Sequence, residues 1–178
     1  MGKSALIVYY SRGGENYVNG SIVNMDVGNT HVVAETLARL TDGDLFRLVP
    51  VNDYSLNYDT CVAQTQRDLS DGVRPELTAF PASLDPYDLI LLGYPTYWGA
   101  PPMPVMTLLH DMHLDRRTVL PFCTHEGSEF GHSLENIRAA CPGINLGEGV
   151  AIRGGRVTNC AAQLTEWLNS HGVDVVSG

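Results

Sequence analysis

Tyr87-Asp88-Leu89-Ile90-Leu91-Leu92-Gly93-Tyr94-Pro95-Thr96-Tyr97-Trp98-Gly99 is the stretch that decides how this chain folds. Its first half is a short apolar run behind Asp85-Pro86, the pattern of a strand buried on both faces. Pro95 has no N–H to give to a sheet ladder, so regular pairing is expected to end near it. Thr96, Tyr97, Trp98 and Gly99 then fall in a loop at the carboxyl end of a buried strand. Two large aromatics there suit the cover of a flat ligand; the competing reading packs them on a neighbouring helix.

Segments of similar character flank this strand. Ser4 to Tyr10 is β-branched and aromatic and predicts a first strand, which runs into Ser11-Arg12-Gly13-Gly14-Glu15-Asn16. Asn19-Gly20, set between Tyr17-Val18 and Ile22-Val23, predicts a small β-hairpin. Gly28-Asn29-Thr30 opens a helix to about Leu40, with Asn29 or Thr30 as N-cap. Asp44 to Val49 predicts a strand, and residues 58–70 a helix. Residues 70–86 read as a connection with a short helix near Glu76 to Ala79.

Beyond the central strand, Met103 to Met112 predicts a helix started by prolines 101, 102 and 104. Thr118 to Cys123 predicts a strand despite Pro121, and Thr124 to Gly131 a polar loop. Ser133 to Ala140 is helical. Ile144 to Ile152 holds a last strand interrupted by Gly147 and Gly149, and Val157 to Asn169 is a final amphipathic helix. Strands and helices alternate five times, which predicts an α/β fold with a parallel sheet and helices on both faces. In the doubly wound order 2-1-3-4-5, the first and third strands lie side by side at the topological switch point.

The 178 residues are expected to form one domain, 1–178, with an insertion at about 13–27. Their 44% hydrophobic content comes in runs too short to cross a bilayer, and no signal-peptide pattern opens the chain. The expected location is the cytoplasm. A net charge of −9 disfavours nucleic acid and anionic membranes as partners. Cys61, Cys123, Cys141 and Cys160 show no Cys-x-x-Cys or zinc spacing and read as reduced, mostly buried thiols.

Three loops carry the chemistry. Ser11-Arg12 with Gly28-Asn29-Thr30 combines hydroxyls, a guanidinium and a helix N-terminus, a set suited to phosphate. Neither a P-loop nor Gly-x-Gly-x-x-Gly is present, which favours a mononucleotide over a dinucleotide. Pro95 to Gly99 is the aromatic platform. Thr124-His125-Glu126-Gly127-Ser128, with Gly131, offers backbone to the polar edge of a ring. Together they make a phosphate cradle and an aromatic sandwich around a planar heterocycle. His110 and His113, flanking Asp111, read as a surface helix end and not as a metal site. His125, Glu126 and Ser128 lack the nucleophile elbow of a hydrolase.

Tyr10-Ser11-Arg12-Gly13-Gly14-Glu15-Asn16, the later Gly28-Asn29-Thr30, Gly93 to Gly99 and Thr124 to Ser128 resemble bacterial flavodoxins and flavodoxin-like FMN proteins. The switch-point rule used above is itself illustrated by flavodoxin and FMN, so it applies here as a known pattern. The resemblance implies a three-layer fold with a five-stranded sheet and FMN held non-covalently. It puts Ser11, Arg12, Asn29 and Thr30 on the phosphate, and Thr96 to Gly99 along the isoalloxazine. Thr124, His125, Glu126, Gly127 and Gly131 close the other side.

The expected function is electron transfer through FMN, with no catalytic side chain and no metal. Gly99 would let the backbone rearrange toward the reduced ring. Partners are expected to be redox proteins or small electron acceptors, and the chain a monomer or homodimer. The alternatives are an FMN-dependent NAD(P)H:quinone-type oxidoreductase and a cofactor-free partner-binding scaffold. One departure from ordinary flavodoxins stands out: 16 residues lie between Arg12 and Asn29. Loops beyond roughly 12–15 residues are usually functional or disordered, and the hairpin here is expected to wall the flavin pocket and shape partner access.

Overall fold

The computed structural model describes residues 4–176. The main sheet is parallel, built from β1 (Ala5–Tyr10), β4 (Asp44–Leu48), β5 (Leu89–Pro95), β6 (Thr118–His125), β7 (Asn145–Leu146) and β8 (Val150–Arg153). Its order is β4-β1-β5-β6, with β7 and β8 both pairing β6 at the far edge. Counting β7 and β8 as one interrupted strand gives the expected order 2-1-3-4-5. The expected interruption is real, since the Gly147 and Gly149 region separates the two pieces.

Helices α2 (Tyr58–Asp71), α3 (Met103–Asp111) and α4 (Ser133–Ala140) cover one face, while α1 (Asn29–Thr41) and α5 (Ala161–Ser170) cover the other. The period of two along β5 assigns its side chains. Ile90, Leu92 and Tyr94 enter the first layer's core, and Leu89 and Leu91 the second. Gly93 belongs with the second set but carries no side chain, because the Phe122 ring occupies that space. A Cβ on Gly93 would lie 2.0 Å from Phe122 Cζ. Gly93→Ala is therefore expected to destabilise by about 2–3 kcal/mol through overpacking. Urea unfolding measures this, and adding Phe122→Leu should recover most of the loss.

Pro121 sits within β6 without breaking the sheet. Val119 O accepts from Gly147 N, so Pro121, two residues on, turns the same way, toward the gap between β7 and β8. Its missing N–H falls where no ladder bond is made.

The predicted hairpin is present and longer than expected. β2 (Gly14–Val18) pairs antiparallel with β3 (Ser21–Met25), and Asn19 (φ 50°) and Gly20 (φ 87°) form the turn. Both central residues need positive φ in this two-residue connection, which is the reason for Asn-Gly.

Four local expectations are corrected. Gly28, not Asn29 or Thr30, is the N-cap of α1. No helix forms near Glu76 to Ala79; Val51 N donates to Glu76 O and Thr78 N to Val49 O, so that backbone is satisfied by a bridge. Thr124 and His125 belong to β6, and the loop starts at Glu126. The final helix begins at Ala161, after a separate 3-10 turn at Gly154–Asn159 that seats Val157 in the core beside α1. All four cysteines are free and buried. Among the described residues, no helix is long and apolar enough to cross a membrane.

Candidate functional site

The carboxyl ends of β1, β5 and β6 lie side by side, so the loops after them meet at one edge. They enclose a cavity of about 520 Å³, within the range of small-molecule and cofactor sites. Twelve of the fifteen sequence-predicted residues line it, from Ser11 and Arg12 through Asn29 and Thr30 to Pro95–Trp98 and Thr124–Gly127.

Gly28, Gly99 and Gly131 do not line the cavity; they shape it. A Cβ on Gly28 would meet Arg12 O and Ser11 Oγ at 2.4 Å. A Cβ on Gly131, whose φ is +53°, would lie 2.6 Å from Gly99 Cα and O. The two loops therefore cross backbone to backbone, and His132 N donates to Gly99 O at 2.7 Å. Any rearrangement of the Gly99 carbonyl, as the flavodoxin resemblance implies, has to break that bond.

The N-terminus of α1 is built for an anion. Ser11 Oγ accepts from His31 N at 3.1 Å, so a side chain from the β1 loop takes up one of the first-turn amides. Among the described residues, the Asn29 and Thr30 N–H groups have no such partner. Thr30 Oγ1 and Thr124 Oγ1 share a buried 2.8 Å hydrogen bond, which joins this cradle to the end of β6.

Arg12 is 4% exposed. Its Nη1 donates to Ser55 O at 2.8 Å and its Nη2 to Glu15 O, while Nε is buried with no partner. It makes no ion pair among the described residues. The sequence assigns Arg12 to phosphate; the structure commits two of its donors to backbone carbonyls and leaves a buried positive charge in the cavity wall. Burial pushes the Tyr97 phenol and the Cys61 thiol up in pKa, and this guanidinium opposes both shifts. Both groups stay protonated near neutrality.

Trp98 and Gly99 form a two-residue turn, closed by Tyr97 N to Ala100 O at 3.0 Å and Ala100 N to Tyr97 O at 2.9 Å. Trp98 takes φ 56°, a conformation costing roughly 1–2 kcal/mol for an L-residue. Its indole Nε1 donates to Thr65 Oγ1 at 3.2 Å, yet the ring stays 49% exposed. The competing reading is thus met in part, since Thr65 belongs to the neighbouring α2, but Trp98 is not taken into the core. It is a strained residue held at the cavity mouth.

Glu126 Oε2 accepts from Asn19 N at 3.0 Å, so the tip of the β2–β3 hairpin is fastened across the site. Its Oε1 is buried and unpartnered. At the other end of the hairpin, Glu15 accepts from Tyr58 N at 2.8 Å and from Asn57 Nδ2 at 2.9 Å, securing the start of α2. His125 Nδ1 accepts from Gly127 N at 2.9 Å, and burial holds the imidazole pKa below its ordinary value. It is a neutral loop brace, not part of a triad.

The hairpin walls the cavity as its length and position suggested, and sequence reasoning missed only the part that α2 supplies. Asn16 and Tyr17 from the hairpin and Tyr58, Cys61, Val62 and Thr65 from α2 also line the cavity, as does Ser128. The available signal was the weak amphipathicity of residues 58–70. Only Cys61 and Thr65 of α2 are buried, because its inner face looks onto the cavity instead of onto core.

The residues present fit a ligand with an anionic end and a flat body. They combine free helix-terminal amides, buried hydroxyls, an uncompensated guanidinium and an aromatic wall. Solved structures of similar fold include a protein from Bacteroides eggerthii provisionally described as a flavoprotein, at TM-score 0.74 and 23% identity, covering 97% of this chain and 99% of that one. A flavoprotein from Lactobacillus acidophilus, solved in complex with FMN, aligns at TM-score 0.66 and 24% identity over 93% of this chain and 98% of that one. No curated protein matches the sequence. The profile of the flavodoxin family matches residues 22–171, from within the hairpin to the end of α5, and the chain thus belongs to the flavodoxin family.

Proposed function

We propose that this protein binds FMN non-covalently in the cavity and serves as an electron-transfer protein. The observation that carries the reading is the meeting of three loops at the switch point, with free amides at Asn29 and Thr30 and an unpaired guanidinium at Arg12. Asn29, Thr30 and the hydroxyl pair with Thr124 hold the phosphate. Tyr97 and Trp98 flank the ring, and the Thr124–Gly127 segment presents polar groups to its edge. FMN, when bound, supplies the redox chemistry; the polypeptide orients it and sets the cost of the negative charge taken up on reduction.

Two opposing fields set that cost. The net charge of −9 disfavours added negative charge, and Arg12 favours it. Surface carboxylates are screened by water and salt, whereas Arg12 is inside the wall, so Arg12 has the larger weight per charge. Trp98, half exposed at the mouth, offers an edge through which electrons leave to a partner.

An NAD(P)H:quinone-type oxidoreductase is the second reading. One observation favours it: Tyr17 and Tyr58, with ring centroids 6.4 Å apart, add a further aromatic surface at the mouth. An absorption spectrum of the purified protein, with extraction of the chromophore, is expected to show FMN. A colourless protein that takes up no added FMN overturns both readings and leaves a binding scaffold. Stopped-flow mixing of the loaded protein with NADPH separates them: no rapid bleaching is expected for a carrier, and fast bleaching identifies the oxidoreductase.

Glu126→Gln is expected to tighten FMN binding about tenfold, or about 1.4 kcal/mol. The amide oxygen still accepts from Asn19 N, while the unpartnered carboxylate oxygen, whose charge opposes an anionic ligand in the same cavity, becomes a donor. Titration by flavin fluorescence quenching measures it.

A further inference from the structure

The hairpin has two edges, and only one of them is used. In β2, Glu15 N donates to Leu56 O, fixing that strand's outer side against the rest of the molecule. The register pairs Val18 with Ser21 across the turn, Tyr17 with Ile22 and Asn16 with Val23. In a two-residue hairpin the residues flanking the turn exchange hydrogen bonds, and alternation follows from there. Ser21, Val23 and Met25 therefore turn their backbone inward to β2. Ile22 and Asn24 turn theirs outward, where no partner meets them among the described residues.

That outer edge lacks every usual protection. Ser21 through Asn24 are all exposed, with Ile22 at 52% and Val23 at 43%. Natural edges are blunted by lysine, proline, bulges or a covering element. Here Asn16 to Met25 contains no charged residue and no proline, in a chain that is 17% charged. Two molecules each carrying −9 repel one another, and this uncharged strip adds no charge–charge repulsion of its own to their approach.

We infer that two copies of this chain pair through β3, antiparallel about a two-fold axis at Val23, into a four-stranded sheet β2-β3-β3-β2. The register is self-complementary. With Val23 opposite its own symmetry mate, Ile22 of one copy faces Asn24 of the other, and these are the two residues with free N–H and C=O groups. Each such pair exchanges reciprocal hydrogen bonds, and the axis repeats it. Val23 becomes the closely spaced, non-hydrogen-bonded pair at the centre, with Ser21 opposite Met25 on either side. The contact is one short strand per copy, well below the roughly 800 Å² per partner of a stable interface, so the dimer is weak and reversible. It would lie beside the cavity, because Asn16 and Tyr17 of the same hairpin line that wall.

Analytical ultracentrifugation of the full chain across a concentration series is expected to show a monomer–dimer equilibrium in the micromolar range. Val23→Lys, which opposes two charges at the axis on an already exposed side chain, is expected to abolish the dimer and leave circular dichroism unchanged. Val23→Cys supplies a test independent of affinity. Cα atoms in a non-hydrogen-bonded pair are about 4.5 Å apart, within disulfide reach, so mild oxidation should give a covalent dimer. Ser21→Cys on the same strand should not cross-link, and the four buried native cysteines should not contribute. A chain that stays monomeric at high concentration overturns the proposal, as does cross-linking equal at positions 21 and 23. A dimer that Val23→Lys leaves intact also overturns it, placing the interface elsewhere; a monomer whose edge accepts an added peptide strand assigns β3 to a different occupant.

Discussion

Arg12→Ala is expected to lower the stability of the protein by about 3 kcal/mol and to release the hairpin before the sheet. Two charge-assisted hydrogen bonds, to Ser55 O and Glu15 O, are lost together. Each is worth roughly 1.5–3 kcal/mol. Against this, a buried cation with no carboxylate partner carries its own desolvation penalty, which alanine removes. The hydrogen bonds outweigh that relief because two part-buried carbonyls lose their charged donor together. Urea unfolding measures the loss, and hydrogen exchange locates it: amides of residues 14–25 should lose protection while those of β1 and β5 keep theirs. Arg12→Lys is expected to recover less than half, because a single ammonium cannot span both carbonyls as the guanidinium fork does. Equal loss of protection across the main sheet would show that Arg12 supports the core and not the insertion.

Gly28→Ala is expected to weaken FMN binding about a hundredfold, or about 2.7 kcal/mol, beyond its cost in stability. The added methyl would lie 2.4 Å from both Arg12 O and Ser11 Oγ, and the Arg12 carbonyl, being backbone, cannot rotate away as the Ser11 hydroxyl can. The start of α1 must then move off the β1 loop. That displaces the free amides of Asn29 and Thr30 and breaks the bond from His31 N to Ser11 Oγ. A helix N-terminus holds an anion through directed amides, so a shift of a few tenths of an ångström is costly. Thermal unfolding of the apoprotein, beside flavin titration, separates the two losses. A variant that unfolds earlier but binds as tightly as the parent would remove Gly28 from the cradle.

The parts of the site legible in the sequence are those fixed within a few residues. Pro95 ends β5 because it has no N–H, and Asn19-Gly20 turns the hairpin because both positions need positive φ. Thr96 to Trp98 and Asn29-Thr30 reach the cavity because a buried strand and a helix start each force the next residues to the sheet edge. The boundaries that moved did so where a distant segment supplied the partner. Ser11 serves the first turn of α1, so Gly28 suffices as cap; Val49 to Val51 satisfy the backbone near Leu77, so no helix is needed there.

By itself the sequence determined the alternation of strands and helices, the order of the sheet and the three loops at its switch point. The alternation and the loop positions follow from periodicity and from turn chemistry, which act over a few residues; the sheet order came with the doubly wound pattern that the flavodoxin resemblance implies. Tertiary structure alone decided that α2 walls the cavity, that Arg12 joins loops 43 residues apart, and that Gly131 rests on Gly99. Those outcomes depend on which remote backbone carbonyl, hydroxyl or bare Cα arrives within hydrogen-bond or van der Waals reach. That is settled only when the chain closes on itself.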